Sequence, residues 1–197
     1  MKEIIIATKN PGKAEEFKTF FAKFNIKAVS LLDLSQSIND IEETGVTFEE
    51  NAAIKAEQIA KLMNKPVLAD DSGLMIDALD GRPGIFSARY AGEPKDDNAN
   101  IAKVLAELED TKEPDRTARF VCVLAVASPD MDTVFKKGYC EGKISVSPKG
   151  SNGFGYDPIF IPKNCTKTMA ELSSDEKNNI SHRSNAIKQL EDWIETI

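Results

Sequence analysis

The apolar residues of this chain follow two periods, which together predict a mixed α/β fold. Short apolar runs between turn residues are typical of buried strands, and apolar residues three or four positions apart are typical of amphipathic helices. These patterns predict strands at 3–8, 27–32, 66–71, 117–128 and 133–140, and helices at 13–24, 47–63, 97–108 and 182–194. Strands alternate with helices early in the chain and pair directly later, so we expect a mixed β-sheet with flanking helices.

The stretch 67–74 interrupts the apolar pattern. Residues 67–69 are apolar, Asp70, Asp71, Ser72 and Gly73 follow, and apolar residues then resume. Adjacent carboxylates repel each other and are poor strand formers, so the local pattern favours a polar turn. The alternative is a ligand site at a strand end, which is where open α/β sheets bind their ligands. On this stretch alone the turn is the favoured interpretation.

Length and composition narrow the class of protein. The 197 residues suit a single domain, and the formal charge of −7 argues against binding a nucleic-acid polymer, which needs a basic surface. Three widely spaced cysteines and a single histidine argue against a zinc site or a disulfide framework. The first apolar run is too short for a signal peptide and the run at 120–127 is too short for a bilayer. We therefore expect a soluble, reduced, cytoplasmic protein with no membrane partner.

The first candidate site is the loop between the first strand and the first helix, here called the Asn-Pro-Gly loop. It consists of Thr8, Lys9, Asn10, Pro11, Gly12 and Lys13. Amide N–H groups at a helix N-terminus, a hydroxyl and a lysine suit a phosphate group. The spacing of a Walker A loop is absent, and any strand–turn–helix connection can use Asn-Pro-Gly. The loop alone is therefore a weak signal.

Carboxylates from two separate segments form the second candidate site. Glu42 and Glu43 lie in an acidic segment, and Asp70 and Asp71 end the third predicted strand. Hard oxygen ligands together with a phosphate are the usual way in which proteins hold Mg²⁺. Each carboxylate taken singly is more commonly a solvated loop charge.

The third candidate is the segment 151–158, here called the aromatic loop. It contains three glycines, and Phe154 or Tyr156 could lie on a base while Asp157 fixes a base edge or a neighbouring loop. A glycine-rich turn with aromatic anchors explains the same residues equally well.

The fourth candidate lies just before and at the start of the last helix. Lys177 and Arg183 could meet phosphate or base oxygens, while a lone histidine such as His182 is more often a surface residue at a helix start. Together the four candidates supply a cation site, a phosphate site, an aromatic platform and extra positive charge. That combination indicates hydrolysis of a nucleotide.

Seven segments, in order, closely resemble the inosine/xanthosine triphosphate pyrophosphatase family, which removes non-canonical purine nucleoside triphosphates. They are residues 7–13, 42–45, 48–56, 69–74, 83–90, 153–158 and 169–183. The resemblance covers nearly the whole chain. It implies one domain over residues 1–197, in which a long twisted mixed sheet and flanking helices form two lobes around a central nucleotide-binding cleft. It also implies a homodimer.

The resemblance implies a role for each matching residue. Phosphates would be held by the Asn-Pro-Gly loop, chiefly by Thr8, Asn10 and Lys13. Mg²⁺ would be bound by Glu42 and Asp71. Asp71 would also be the proton acceptor, supported by Asp70. Ser72 and Lys55 would contact the phosphates, Lys55 as a catalytic lysine. Base contacts are implied for Phe154, Gly155, Tyr156, Asp157, Lys177, His182 and Arg183.

The expected reaction is Mg²⁺-dependent hydrolysis of ITP, dITP or XTP to the monophosphate and pyrophosphate. Donors aimed at the 6-oxo group would reject adenine, because its amino group would leave a buried donor unpaired. Three alternatives stay open: a Maf-like pyrophosphatase acting on pyrimidine nucleotides, a phosphohydrolase with an aspartyl nucleophile, and a nucleotide-sensing module without turnover.

Overall fold

The structure is a computed structural model that describes residues 3–34, 38–39, 41–129 and 131–194. In this part of the chain the strands are β1 (Glu3–Ile6), β2 (Lys27–Ser30), β3 (Val67–Ile76), β4 (Thr117–Ser128), β5 (Met131–Ile144) and β6 (Phe160–Pro162). The α-helices are α1 (Pro11–Ala22), α2 (Phe48–Met63), α3 (Asp97–Glu107), α4 (Ser174–Ile180) and α5 (His182–Ile194). Short 3₁₀ turns connect several of these elements.

The six strands form one sheet in the order β2-β1-β3-β4-β5-β6. Strand β1 is parallel to both β2 and β3, whereas β5 and β6 are antiparallel. This confirms the prediction of a mixed α/β sheet with flanking helices. The predicted central cleft stays a prediction.

The predicted turn at 70–73 is wrong, because β3 continues without interruption from Val67 to Ile76. Successive side chains of a strand point to opposite faces, so Asp70 and Asp71 do not point the same way. Lys13 neutralises the first carboxylate at 2.6 Å, and Lys55 lies 3.7 Å from the second. Long-range partners that the local pattern does not reveal thus compensate the repulsion that argued for a turn.

The other differences lie at element ends and in short elements. Helix α1 starts at Pro11, two residues before the predicted start, because Asn10 caps it. Strand β5 extends beyond the predicted 133–140 at both ends. The pattern did not predict β6 or the short helix α4. The Ser173–Glu176 capping box that begins α4 was the available signal, since each residue hydrogen-bonds the other's backbone N–H.

The chain folds into two compact units. The first takes its described residues from Met1–Asp71, Val123–Lys137 and Ala186–Ile197, and the second from Ser72–Cys122 and Gly138–Asn185. The first unit buries β1 and the aromatic face of α1, where Phe17, Phe20 and Phe21 are buried. The second unit has a hydrophobic core that includes Leu74, Leu108, Phe120 and Phe160. The prediction of a single domain with two lobes stays a prediction.

Within the described residues, none of the helices combines the length and apolarity needed to cross a membrane.

Candidate active site

In the first unit, a group of lysines and carboxylates gathers at β3, here called the acid–lysine cluster. Its members are Lys13, Glu43, Lys55, Asp70 and Asp71. Strand β3 contributes the two aspartates, α1 contributes Lys13 in its first turn, and α2 contributes Lys55. All five side chains were named from the sequence as candidate phosphate, metal or supporting residues.

The two adjacent aspartates have different partners. Asp70 is buried and accepts a hydrogen bond from Lys13 Nζ at 2.6 Å. Asp71 is 8% exposed, and its Oδ1 lies 3.7 Å from Lys55 Nζ. Among the residues that the structure describes, the Asp71 Oδ2 atom has no hydrogen-bond partner. Asp70 is therefore paired with Lys13, whereas one buried oxygen of Asp71 has no hydrogen-bond partner among the described residues.

Lys55 is held between backbone and side-chain acceptors. Its Nζ donates to the Asp70 carbonyl oxygen at 2.6 Å and to Glu43 Oε1 at 2.9 Å. Burial disfavours its charge, but the carboxylates of Asp71, Asp70 and Glu43 outweigh that effect and raise the pKa of Lys55. The lysine is therefore a fixed positive charge within the cluster, and it does not extend freely into water.

Asp71 has the electrostatics of a proton acceptor. Burial raises its pKa to about 6, although the Lys55 charge opposes the rise, and Glu43 and Asp70 add to it. A general base is most effective when its pKa lies near the working pH, since it is then both ionised and basic enough to take a proton. Perturbed carboxylates of this kind are common at functional sites.

The acidic segment places its two glutamates differently. Glu43 joins the acid–lysine cluster through Lys55, whereas Glu42, the predicted metal ligand, is exposed. No group of three or more His, Cys, Asp or Glu side chains suited to a metal occurs among the described residues. The assignment of Glu42 to the metal stays a prediction.

The Asn-Pro-Gly loop is organised by its own side chains. The buried Thr8 accepts a hydrogen bond on Oγ1 from Asn10 N at 3.1 Å, and Asn10 Oδ1 accepts one from Lys13 N at 3.1 Å. Residues 9–12 are exposed, so their backbone is accessible to a ligand. Asn10 is thus an N-cap, and the loop presents the start of a twelve-residue helix.

In the second unit, the aromatic loop is fastened around Asp157. This buried carboxylate accepts hydrogen bonds on Oδ2 from Phe154 N at 2.9 Å and from Lys177 Nζ at 2.5 Å. Gly155 N donates to Asp97 Oδ2 at 2.7 Å, which ties the loop to the first turn of α3. The predicted base contact Asp157 therefore shapes the loop from within.

The two aromatic residues of this loop have different environments. Phe154 is 52% exposed, and Lys177 Nζ lies 4.8 Å from the centre of its ring. Tyr156 is buried in the hydrophobic core, where its hydroxyl donates to the Ser87 carbonyl oxygen at 2.8 Å. Phe154 offers a ring face to a ligand, whereas Tyr156 could meet one only through its backbone.

The last predicted base contacts lie at the start of α5. His182 is its first residue, is partly buried, and stacks on Phe120 with the ring centres 4.9 Å apart. Arg183 is buried. In the second unit the structure thus brings Asp157, Lys177 and Phe154 together. For Ser72, the structure shows a partly buried residue within β3.

Two residues with structural connections to these groups were missed in the site prediction. Asn51 lies one helical turn before Lys55 on α2, and Asp97 holds the aromatic loop. The spacing of Asn51 and Lys55, four residues apart on a predicted helix, was a signal that both side chains share a face. No local signal connects Asp97 with a loop more than fifty positions away in sequence.

Comparisons with known proteins identify the family of this chain. The model of the Ham1 family matches residues 4–193. Among curated proteins, a dITP/XTP pyrophosphatase of Oceanobacillus iheyensis is 66% identical with all of both chains covered. One of Bacillus subtilis is 57% identical, with 99% of this chain and 98% of that protein covered.

Solved structures show the same similarity. The Ham1 protein of Staphylococcus aureus superposes with a TM-score of 0.91 at 51% identity, covering 99% of each chain. A HAM1 protein of Coxiella burnetii gives 0.92 at 45% identity, covering 100% of each chain. These matches confirm the resemblance that the seven segments indicated, and the chain belongs to the Ham1 family.

Proposed function

We propose that this protein hydrolyses non-canonical purine nucleoside triphosphates, among them dITP, ITP and XTP, to the monophosphate and pyrophosphate. The name dITP/XTP pyrophosphatase, carried by relatives that match along their whole length, supports this substrate class. The observation that carries the chemistry is the acid–lysine cluster, in which a buried carboxylate of raised pKa keeps one oxygen without a partner among the described residues.

The cluster suits attack of water on the α-phosphorus of the substrate. The substrate is a polyanion, so much of the barrier is repulsion between negative charges, and fixed positive charges lower it. Lys13 lies at the start of α1, where backbone N–H groups also favour phosphate. Lys55 supplies a second positive charge beside Asp71. In this proposal both lysines hold the phosphates, and the Asn-Pro-Gly loop contributes N–H donors.

Asp71 is the general base in this proposal. Its buried Oδ2 takes the proton of the attacking water. Asp71→Asn keeps the size of the side chain and removes the base, so kcat should fall about 10²–10⁴-fold. Steady-state kinetics measure the loss, and circular dichroism checks that the fold is kept. Wild-type turnover in this variant would remove Asp71 from the mechanism.

The same side chains fit a divalent cation, which we propose is Mg²⁺. Mg²⁺ usually takes one or two carboxylates, substrate phosphate oxygens and several waters, so a cage of three protein ligands is not required. The Asp71 carboxylate would supply one hard oxygen donor of this kind, and Glu42 would supply the second carboxylate. When bound, such an ion neutralises charge on the phosphates and on the leaving pyrophosphate.

For base recognition, we propose that the exposed ring of Phe154 stacks on the purine. Lys177 is fixed beside that ring by Asp157, and a fixed donor can address the 6-oxo group of hypoxanthine or xanthine. Adenine would leave such a donor unpaired, which discriminates strongly. The proposal includes backbone contacts of Gly155 and Tyr156 and side-chain contacts of His182 and Arg183. It also includes a phosphate contact of Ser72.

The proposal also covers the protein's setting: a homodimer in the cytoplasm, acting on free nucleotides. Size-exclusion chromatography with light scattering tests the dimer, and a monomer at micromolar concentration would contradict it.

A substrate panel tests the proposed function. ITP, dITP, XTP, GTP, ATP, TTP and UTP are each supplied with Mg²⁺, and pyrophosphate and orthophosphate are measured separately. We expect dITP, ITP and XTP to give pyrophosphate with kcat/KM at least about 100-fold above ATP. Preference for TTP or UTP would indicate the Maf-like alternative. Orthophosphate as the product would indicate an aspartyl nucleophile, and binding without turnover would indicate a sensing module.

A further inference from the structure

Asn51 is a buried amide whose orientation is fixed by its surroundings. It lies in the first turns of α2, is 1% exposed, and accepts a hydrogen bond on Oδ1 from Gly45 N at 2.8 Å. A Cβ atom at position 45 would come within 2.6 Å of that oxygen, so the acidic segment packs closely on the amide. Because Oδ1 must face the Gly45 N–H group, Nδ2 points elsewhere.

Asn51 Nδ2 is a hydrogen-bond donor, and Asp71 Oδ2 is the acceptor that could match it. Among the described residues, Asn51 Nδ2 and Asp71 Oδ2 are both buried and both without a hydrogen-bond partner. Asn51 lies four residues before Lys55, so the two side chains share a helix face, and Lys55 Nζ is 3.7 Å from Asp71 Oδ1. Burial raises the pKa of Asp71, and a hydrogen-bonding interaction with the Asn51 side chain opposes that rise. The amide therefore lies beside the carboxylate, but without a hydrogen bond of good geometry between Nδ2 and Oδ2.

A buried donor and a buried acceptor that are close together and unpaired suit a shared water molecule. An unpaired buried polar group is destabilising, so a structure that keeps two such groups together has a reason for them. A water molecule has two protons and two lone pairs. It can give one proton to a carboxylate oxygen, accept a hydrogen bond from an amide on one lone pair, and direct the other lone pair at phosphorus.

We infer that Asn51 is a positioning residue for the proposed reaction: its Nδ2 group and Asp71 Oδ2 together hold the attacking water. This inference rests on the proposed function. In the reaction the water oxygen forms the new bond to the α-phosphorus, its proton passes to Asp71, and the bond to pyrophosphate breaks. Asn51 orients the lone pair and exchanges no proton, as expected of a neutral amide.

A purely structural role does not account for the Nδ2 group. The link between α2 and the acidic segment uses Oδ1 of Asn51 and not Nδ2. A neighbouring residue makes a link of the same kind, since Glu50 Oε2 accepts a hydrogen bond from Val46 N at 2.7 Å. Glu50 is exposed and is therefore a matched control for the anchoring of this segment.

The test compares Asn51→Asp, Asn51→Ala and Glu50→Ala with the wild type. Asn51→Asp keeps the acceptor for Gly45 N but replaces the Nδ2 donor with a carboxylate oxygen and adds an acidic group beside Asp71. Asn51→Ala adds no charge and removes both amide groups at a helix position that tolerates alanine. The measurements are kcat and KM for dITP, the Kd of an α,β-methylene analogue of dITP, which cannot be cleaved, and the melting temperature.

We expect kcat to fall about 100-fold in both Asn51 variants, with KM and the analogue Kd within about threefold of wild type. Glu50→Ala should keep kcat within about threefold. Asn51 variants with near-wild-type kcat would overturn the inference, as would a Glu50→Ala loss as large as theirs, or equal losses of kcat and analogue binding.

If the wild type itself releases no pyrophosphate from dITP, the proposed function fails and the inference falls with it. An active wild type with active Asn51 variants refutes the inference alone.

Discussion

At the scale of single residues, Asp70 and Asp71 show how neighbours in sequence acquire different chemistry. Strand geometry points their side chains to opposite faces, so one meets Lys13 and the other lies beside Lys55. A paired carboxylate stays ionised and fixed, whereas a buried carboxylate with one unpaired oxygen can exchange a proton. The two side chains are chemically identical, so the difference between them comes from their partners.

The raised pKa of Asp71 predicts a pH dependence of stability. The pKa is about 6 in the folded protein and about 3.9 in the unfolded chain, so the folded state binds more protons between those values. Stability should therefore fall as pH rises through this window and then level off. Asp71→Asn lacks this pH dependence. Its stability relative to wild type, measured as the free energy of unfolding, should therefore be about 1 kcal/mol greater at pH 8 than at pH 5.

Urea unfolding of both proteins in EDTA measures this difference, and other titrating groups largely cancel in the comparison. A difference that does not change between pH 5 and pH 8 would show that Asp71 has an ordinary pKa.

Lys13→Ala separates phosphate binding from folding. In the proposed site Lys13 binds phosphate, so we expect the substitution to weaken binding of a triphosphate analogue much more than binding of the monophosphate. The substitution also removes one half of a buried ion pair, which destabilises the fold by about 3–5 kcal/mol.

The double variant Lys13→Ala/Asp70→Asn is the control, because it also removes the buried charge that Lys13 neutralises. It should recover much of the lost stability while binding stays weak. Calorimetric titration and thermal unfolding measure the two effects. Equal losses for the triphosphate and the monophosphate would contradict a phosphate role.

At the scale of elements, the aromatic loop depends on glycine at one position more than at another. Gly153 and Gly155 both have positive φ, of 78° and 59°. A Cβ at position 153 would lie 2.0 Å from Asp157 Oδ2, whereas a Cβ at 155 has no described atom within 4 Å. Gly155→Ala should therefore cost about 1 kcal/mol of backbone strain, and Gly153→Ala should in addition displace Asp157.

Gly153→Ala should consequently raise KM for dITP clearly more than Gly155→Ala does. Steady-state kinetics and the melting temperatures of both variants provide the check. Similar KM values in the two variants would show that Asp157 does not set the shape of the loop.

The elements also show which parts of the fold the sequence can predict. Helix α2 was predictable because its signals are local: Thr47 caps Glu50 N, and alanines at helical spacing form the buried face. The path of β3 through Asp70 and Asp71 was not, because the lysine that neutralises Asp70 lies 57 positions away. Asp97 was missed for the same reason, since the loop that it holds lies 58 positions away.

At the scale of the whole molecule, a formal charge of −7 opposes the binding of a nucleotide polyanion. The opposition has to be overcome locally, by Lys13, by Lys55 and by the proposed cation. We therefore expect Mg²⁺ to stabilise the complex with the uncleavable dITP analogue. At 100 times its Kd the gain is about 2.7 kcal/mol, or roughly 5–10 °C in melting temperature for a chain of this length.

Differential scanning fluorimetry of the analogue complex with Mg²⁺, and again after EDTA, measures this shift. Asp71→Asn should show little of it. An unchanged shift in that variant would place the cation elsewhere.

The ion pair between Lys13 and Asp70 has a consequence for ligand exchange. If Lys13 binds phosphate, Asp70 competes with the phosphate for the Lys13 ammonium group. Because Asp70 belongs to the same chain, its effective concentration is very high, and an incoming ligand must displace it. A triphosphate has charge enough to do so, whereas a monophosphate has less. After cleavage, Asp70 can recapture the lysine and so favour departure of pyrophosphate, which makes this buried carboxylate a determinant of product inhibition.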